Sequence, residues 1–191
     1  MIILKSESEV SKIQASCRIV AETLEILRER VKPGITTGEL DQIAEEQILA
    51  RGGKPAFKGY RDFPATLCVS VNQEVVHGIP SSRKVLASGD IVGLDLGAIR
   101  DGFYGDAAIT VPVGAVSEEA MRLIQVTEAS LYKGIEQAVL GNRLSDISHA
   151  VQSWVEKAGF SVVRDFVGHG IGRNLHEEPQ VPNYGEPGKG P

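Results

Sequence analysis

The feature that most constrains the fold of this chain is an internal repeat that spans most of its 191 residues. Each copy contains a helical segment, a glycine turn, a second helical segment and a closing glycine. Three matched pairs lie 107 positions apart: Gly34 with Gly141, Leu40 with Ile147, and Gly52 with Gly159. Such a duplication predicts one domain over residues 1–191, made of two similar parts, 1–107 and 108–191, related by an approximate two-fold axis.

The first helix pair has clear boundary signals. Ser6 and Glu9 have the spacing of a capping box, in which each side chain bonds the backbone N–H of the other residue. Apolar residues then recur at helical spacing as far as Val31. Thr37 is placed to cap a second helix, which Gly52 ends.

The second helix pair repeats these signals. Ser117 opens one helix, which Gly141 ends, and Ser145 caps the next helix, which Gly159 ends. Strand-like segments lie between the two pairs, so both pairs are expected to cover one face of a shared, curved antiparallel sheet. The predicted fold class is therefore α+β.

Three strands are predicted between the helix pairs. Residues 67–76 alternate apolar and polar side chains, which is typical of a strand, and His77 follows them. Residues 91–99 and 103–113 form two further strands. The Asp101-Gly102 pair between them is typical of a two-residue hairpin turn.

This hairpin brings two carboxylates together. With Asp101-Gly102 as the turn, Asp95 faces Ala108, and Asp106 lies two residues along on the same face. Two carboxylates on a largely apolar hairpin repel each other and lose hydration unless a cation compensates them. The alternative is that both side chains simply face water or cap turns.

The second part of the chain supplies histidines. His169 lies in a glycine-rich strand end, where the backbone can approach a ligand closely, and His176 follows seven residues later. Neutral imidazole is a common metal ligand and a hydrogen-bond partner for a developing oxyanion. Many histidines are only structural, which is the interpretation for His149. Two acids with several histidines, His77 among them, suit a divalent metal used in hydrolysis.

The composition excludes several classes of function. The chain is 42% hydrophobic and 24% charged with a net charge of -5, so neither nucleic acid nor an anionic membrane is an expected partner. No stretch approaches the roughly 18 apolar residues needed to span a membrane. The N-terminus lacks a signal-peptide pattern, and Cys17 and Cys68 form no disulfide framework. These observations predict a cytoplasmic protein.

Four segments carry a resemblance to a known family: GYRDFPATLCVSVNQEVVHGIP, IVGLDLGAIRDGFYGDAAITV, GHGIG and HEEPQV. The chain resembles type I methionine aminopeptidase over essentially its whole length, in a bacterial form without an N-terminal extension. The resemblance implies the pita-bread fold, in which two pseudo-symmetric parts surround a dinuclear site for cobalt, manganese, iron or zinc. It also implies removal of the N-terminal methionine from nascent proteins and peptides, at the ribosome.

The resemblance further implies a role for each candidate site residue. Asp95 and Asp106 bind the two metals, with Asp106 bridging them, and His169 binds one of them. His77 and His176 flank the substrate and either hold its peptide or stabilise the tetrahedral intermediate. The residues implied to line the methionine pocket are Tyr60, Phe63 and Cys68.

Two positions depart from the family pattern. Family members usually have tyrosine where Phe63 stands and phenylalanine where Leu175 stands. Both replacements keep the pocket wall apolar, so they affect the details of the pocket rather than the class of substrate.

The family pattern also implies a C-terminal truncation. Two further glutamate ligands are expected beyond Pro191, and the repeat counterpart of Asp95 falls at position 202, outside the 191 residues. We therefore expect missing C-terminal strands, zero or one bound metal ion, and weak or absent activity. An exposed sheet edge would also favour dimerisation.

Two other functions remain open from the sequence. A related pita-bread peptidase that acts before proline shares the paired aspartates and GHGIG-like segments, but usually lacks HEEPQV. A non-catalytic pita-bread binding module is the second alternative, although such proteins typically lose the ligands that Asp95, Asp106 and His169 provide here.

Overall fold

The computed structural model describes residues 1–191 as an α+β fold, which confirms the predicted class. The helices are α1 (Glu7–Arg30), α2 (Thr37–Ala50), α3 (Glu118–Glu136) and α4 (Leu144–Lys157). The strands are β1 (Lys54–Pro55), β2 (Leu67–Val71), β3 (Ile91–Arg100), β4 (Phe103–Pro112), β5 (Gly168–Gly170) and β6 (Glu177–Val181). A 3-10 turn spans Tyr60–Asp62.

The chain divides into two compact units. The N-terminal unit contains Ile3–Ser117 and the short segment Ile171–Leu175. The C-terminal unit contains Glu118–Gly170 and His176–Pro191, together with the first two residues. Residues 107 and 108, where the two repeat copies are expected to meet, lie inside β4. The N-terminal unit contains the whole β3–β4 hairpin. None of the four helices has the length and hydropathy of a membrane-spanning helix.

A four-stranded antiparallel sheet organises the N-terminal unit. β3 is its central strand: β4 pairs along one side, and β1 and β2 pair along the other. One face packs against α1 and α2 and forms the main core, because every second side chain of β3 is a fully buried apolar residue. These buried side chains are Val92, Leu94, Leu96 and Ala98.

The first helix begins as the sequence predicts, and the second begins one residue earlier. Ser6 and Glu9 form the capping box of α1. In α2 the cap is Thr36, whose hydroxyl accepts the backbone N–H of Glu39 at 3.1 Å. The predicted cap, Thr37, is wrong: its side chain is buried, and its hydroxyl is hydrogen-bonded to the backbone of Ser81.

The β3–β4 turn confirms the predicted hairpin. Arg100 pairs with Phe103, and Asp101 and Gly102 between them have φ values of 52° and 76°. Both turn residues are thus in the left-handed region that a type I′ turn requires, and Asp-Gly accepts it more readily than most pairs.

The strand predicted over residues 67–76 is shorter than expected. β2 ends at Val71, because Asn72 has a φ of 55° and its side-chain oxygen accepts the N–H of Ile91. The chain then turns back, and Val69 N–H donates to the carbonyl of Gly78 at 2.8 Å. A Cβ at Gly78 would lie 2.1 Å from that strand's Val69 oxygen, so only glycine permits the return.

The C-terminal unit contains the second helix pair and its own two-stranded sheet. α3 and α4 approach closely at Gly134, where a Cβ would lie 3.0 Å from the side chain of Val151. β5 and β6 pair only with each other, so the strands form two separate sheets rather than the one shared sheet that the repeat predicted.

The start of α4 also differs from the prediction. The helix begins at Leu144, and the carboxylate of Asp146 accepts the N–H of Arg143 at 2.6 Å. Ser145, predicted as the cap, is inside the first turn. Its hydroxyl is engaged with the backbone of Lys189, a partner distant in sequence that the local pattern does not reveal.

Candidate active site

The two hairpin carboxylates lie on the sheet face opposite the main core. Asp95 pairs with Ala108, and Asp106 pairs with Gly97, so the two acids are diagonal neighbours as the register predicted. Their side chains share a hydrogen bond. Two adjacent carboxylates repel each other when both are ionised, so this arrangement favours a shared proton or a bound cation.

Burial raises the pKa of groups at this pair of acids. Loss of hydration raises the pKa of Asp106 to about 6, against the opposing effect of its hydrogen bond with Asp95. Cys68 is the β2 partner of Asp95. Burial first, and then the charges of Asp95 and Asp106, raise the pKa of the Cys68 thiol to about 12. Cys68 is therefore a neutral, apolar wall beside the carboxylates at physiological pH.

The donor chemistry of the pair fits a divalent metal ion. Carboxylate oxygens are hard ligands, and a cation removes the repulsion that burial would otherwise impose on two adjacent acids. The structure contains no group of three or more His, Cys, Asp and Glu side chains arranged to hold a metal ion. The candidate metal ligands that the hairpin brings together are the carboxylates of Asp95 and Asp106.

An apolar cluster lies beside the carboxylates, within the N-terminal unit. Three of its members were predicted from the resemblance: Tyr60, Phe63 and Cys68. The cluster also contains the buried side chains of Ala56, Phe57 and Leu175, with Ile99, Tyr104 and Ile171 packed against them. Because Cys68, Ile99 and Tyr104 occupy the same face of the sheet as Asp95 and Asp106, the apolar pocket and the acids are adjacent.

Sequence reasoning missed Phe57 and Tyr104 as members of this pocket. Tyr104 could have been found from the hairpin register, because it lies two residues from Asp106 on the same face. Phe57 lies in a loop without periodicity, and no local pattern indicates where its ring packs.

Leu175 reaches the pocket through the segment Ile171–Leu175, which is anchored on the N-terminal unit. The N–H of Tyr104 donates to the carbonyl of Gly172 at 2.8 Å. The guanidinium of Arg173 pairs with Glu9 at 3.2 Å and lies 4.6 Å from the ring centre of Phe103. These contacts place Leu175, 3% exposed, in the apolar cluster.

Two of the predicted histidines lie together in the C-terminal unit. The rings of His169, in β5, and His176, just before β6, have centroids 4.1 Å apart. Nδ1 of His169 is 3.0 Å from the carbonyl oxygen of Gly170, which can only accept, so Nδ1 carries the proton. In the neutral ring Nε2 is then the nitrogen with the lone pair that a metal requires.

His77 is placed on the turn after β2, in the N-terminal unit. It is exposed and has a φ of 60°, a left-handed conformation that is uncommon outside glycine. Residues held in this region often belong to binding or catalytic sites.

Comparisons with known proteins identify the family of this chain. Residues 11–190 match the model of metallopeptidase family M24. Methionine aminopeptidase of Clostridium acetobutylicum is 54% identical over all of this chain and 76% of its own length, and that of Clostridium perfringens is 57% identical over the same shares. The crystal structure of methionine aminopeptidase from Thermotoga maritima superposes with a TM-score of 0.98 at 47% identity, covering 100% of this chain and 76% of that one.

The relatives also bear on the alternatives that the sequence left open. Identity above one half, over the whole chain, to enzymes of a single activity does not favour a proline-directed peptidase or a non-catalytic module. The pita-bread fold is confirmed by the structural match. The chain therefore belongs to metallopeptidase family M24, and the members that it resembles over its whole length are bacterial methionine aminopeptidases.

Proposed function

We propose that this chain contributes the methionine pocket and metal-binding carboxylates of an enzyme that removes N-terminal methionine from proteins and peptides. The observation that carries this proposal is the position of the apolar cluster, which shares one sheet face with Asp95 and Asp106. A substrate whose first side chain enters the cluster presents its first peptide bond to the acids. Methionine suits such a pocket because its side chain is unbranched, flexible and apolar.

We assign metal binding to Asp95, Asp106 and His169, which would hold the divalent ion. Cobalt, manganese, iron and zinc all suit this set of oxygen and nitrogen ligands. When bound, a divalent ion supplies a nucleophilic water at neutral pH and polarises the scissile carbonyl. With three assigned ligands, we propose that this chain binds zero or one ion.

The remaining polar residues act on the substrate. We assign His77 and His176 to the substrate peptide, where imidazole N–H groups can hold the backbone and donate to the developing oxyanion. The neutral thiol of Cys68 and the rings of Tyr60 and Phe63 exclude water around the methionine side chain. Excluding water strengthens the electrostatic interactions at the adjacent carboxylates.

The substrate class suggests where the protein acts. Nascent polypeptides carry an N-terminal methionine as they leave the ribosome, so we propose action there, in the cytoplasm. Neither nucleic acid nor membrane is needed for this reaction, and the net charge of -5 gives no attraction to either.

Release of free methionine from Met-Ala-Ser, in the presence of Co²⁺ or Mn²⁺, tests the proposal. Leu-Ala-Ser and Gly-Met-Ala are the matched peptides, and D95N and D106N are the inactive controls. We expect slow release from the methionine peptide only, lost in both variants. Equal cleavage of all three peptides, or release that persists in both variants, would reject the assignment.

A further inference from the structure

The loop that carries the pocket aromatics, residues 56–66, has an unusual backbone. Gly59, Arg61 and Asp62 have φ values of 83°, 47° and 64°. Two of these three left-handed residues are not glycine, and such residues persist only where the surroundings hold them in place. Within the loop, Gly59 N–H donates to the carbonyl of Phe63 at 2.8 Å, which closes a small bulge. Tyr60 and Phe63 both lie on this bulge.

One end of the loop is held by an acid of α2. Oδ1 of Asp41 accepts the backbone N–H groups of Thr66 and Leu67, each at 2.8 Å. Leu67 is the first residue of β2 and is fully buried. Hydrogen bonds from two backbone donors to one carboxylate are strong and directional, so they define where the loop meets the sheet.

The other end of the loop is held by a second acid, one helical turn further along α2. Both carboxylate oxygens of Glu45 accept from Nζ of Lys58, at 2.7 and 2.9 Å. This bond is the largest cause of a raised pKa at Lys58, and the charge of Asp41 adds to it. Residues i and i+4 share one helix face, so Asp41 and Glu45 present two carboxylates to the two ends of a single loop.

We propose that Asp41 and Glu45 are positioning residues that fix the methionine selectivity of the pocket. Their hydrogen bonds go to the loop and to the start of β2, and they hold the strained loop so that Tyr60 and Phe63 close on Cys68 and Leu175. Without these anchors the bulge can relax, and the pocket then fits branched side chains almost as well as methionine. This inference rests on the proposed function, because it concerns the shape of the proposed methionine pocket.

A purely structural role for the two acids gives a different outcome. A general loss of stability weakens the binding of every ligand equally. Displacement of the loop instead changes the preference of the pocket for one ligand over another. The variant D41N separates the two further, because an amide oxygen can still accept both backbone N–H groups. D41A removes the acceptor.

The experiment measures how fast Cys68 reacts with N-ethylmaleimide, alone and with L-methionine or L-leucine, and compares D41A, D41N and E45A with the unmodified chain. Exposed Cys17 in the same molecule is the internal reference, and peptide mass spectrometry resolves the two sites. The control variant is E46A, whose exposed carboxylate lies on the same helix and bonds Gln42. Tryptic cleavage after Arg61 reports the loop directly.

We expect L-methionine to protect Cys68 better than L-leucine in the unmodified chain, D41N and E46A. In D41A that preference should fall by about tenfold, because two part-buried hydrogen bonds to a charged group are lost. In E45A it should fall by about threefold, because the lost ion pair is more exposed. Cleavage after Arg61 should accelerate in both. If D41A does not fold, E45A carries the test, since its ion pair is partly exposed.

An unchanged preference in D41A and E45A would overturn the inference and leave the proposed function standing. A loss in D41N as large as in D41A would also overturn it, because the acceptor is retained there. Failure of L-methionine to protect Cys68 in the unmodified chain would instead reject the methionine pocket, and the inference with it.

Discussion

A Cβ added at Gly97 would lie 2.6 Å from Cε1 of Phe57 and 2.9 Å from the Cβ of Ala56. Gly97 is the β-sheet partner of Asp106, in the middle of the acid-bearing face. The absent side chain therefore lets the ring of Phe57 lie directly against the sheet beside the two carboxylates. The glycine shapes the pocket through steric room rather than backbone conformation, because its φ is not in the left-handed region.

We predict that G97A destabilises the fold and distorts the pocket. Inserting a methyl group into a contact this short should cost about 1–3 kcal/mol, measured as the free energy of unfolding in urea. G93A is the matched control, since a Cβ on that same strand face would be 3.6 Å from its nearest neighbour. Shortening Phe57 to leucine in the G97A background should recover part of the loss. Equal costs for G93A and G97A would contradict this steric account.

Metal binding should stabilise the chain through Asp95 and Asp106. A ligand that binds only the folded state raises the melting temperature, and at 100 times its dissociation constant it adds about 2.7 kcal/mol. We expect Co²⁺ or Mn²⁺ to raise the melting temperature of the unmodified chain, and neither ion to do so in D95N or D106N. D101N, at the exposed hairpin turn, should respond like the unmodified chain. If the metal still raises the melting temperature of both variants, it binds at another site.

Asp90 should make the stability depend on pH in the acid range. Its carboxylate accepts the N–H of Ala87 and the side-chain amide of Asn72, each at 2.8 Å, and these bonds lower its pKa. A lowered pKa in the folded state gives stability that is present above the ordinary carboxyl pKa of 3.8 and is lost as the pH falls further.

We therefore predict that the stability difference between the unmodified chain and D90N shrinks between pH 5 and pH 3. The difference at neutral pH should be below about 1 kcal/mol, because the group is largely in contact with solvent. Thermal melts at several pH values measure it. A difference that stays constant across this range would show that Asp90 acts without titrating.

The outer edge of β4 should promote association of the 191-residue chain. β4 pairs with no other strand than β3, and beyond Tyr104, whose N–H bonds the carbonyl of Gly172, the residues Ala107, Ala108 and Thr110 are exposed. Unpaired strand edges pair readily with a second copy. We predict a concentration-dependent dimer in sedimentation velocity, weakened by T110K at the edge and unaffected by K133E on α3. A monomer at all concentrations would contradict the prediction.

Much of this fold follows from local sequence signals. The capping box at Ser6 and Glu9 starts α1, because both bonds form within one turn of chain. The Asp101-Gly102 turn sets the register of the ten residue pairs between β3 and β4. This register predicts that two acids eleven residues apart are neighbours. The predicted helix caps Thr37 and Ser145 were wrong because each hydroxyl is hydrogen-bonded to a residue distant in sequence.

The sequence by itself determined the helix pairs, the hairpin and its acid-bearing face, because periodicity and turn chemistry act over a few residues. Only the tertiary structure decided how the pocket is assembled. Phe57, Cys68 and Leu175 come from three separate segments and meet because Gly97 leaves room and because the anchored segment around Arg173 carries Leu175 to the sheet. Contacts of this kind depend on the packing of whole elements, and no spacing along the chain encodes which residue will fill a given space.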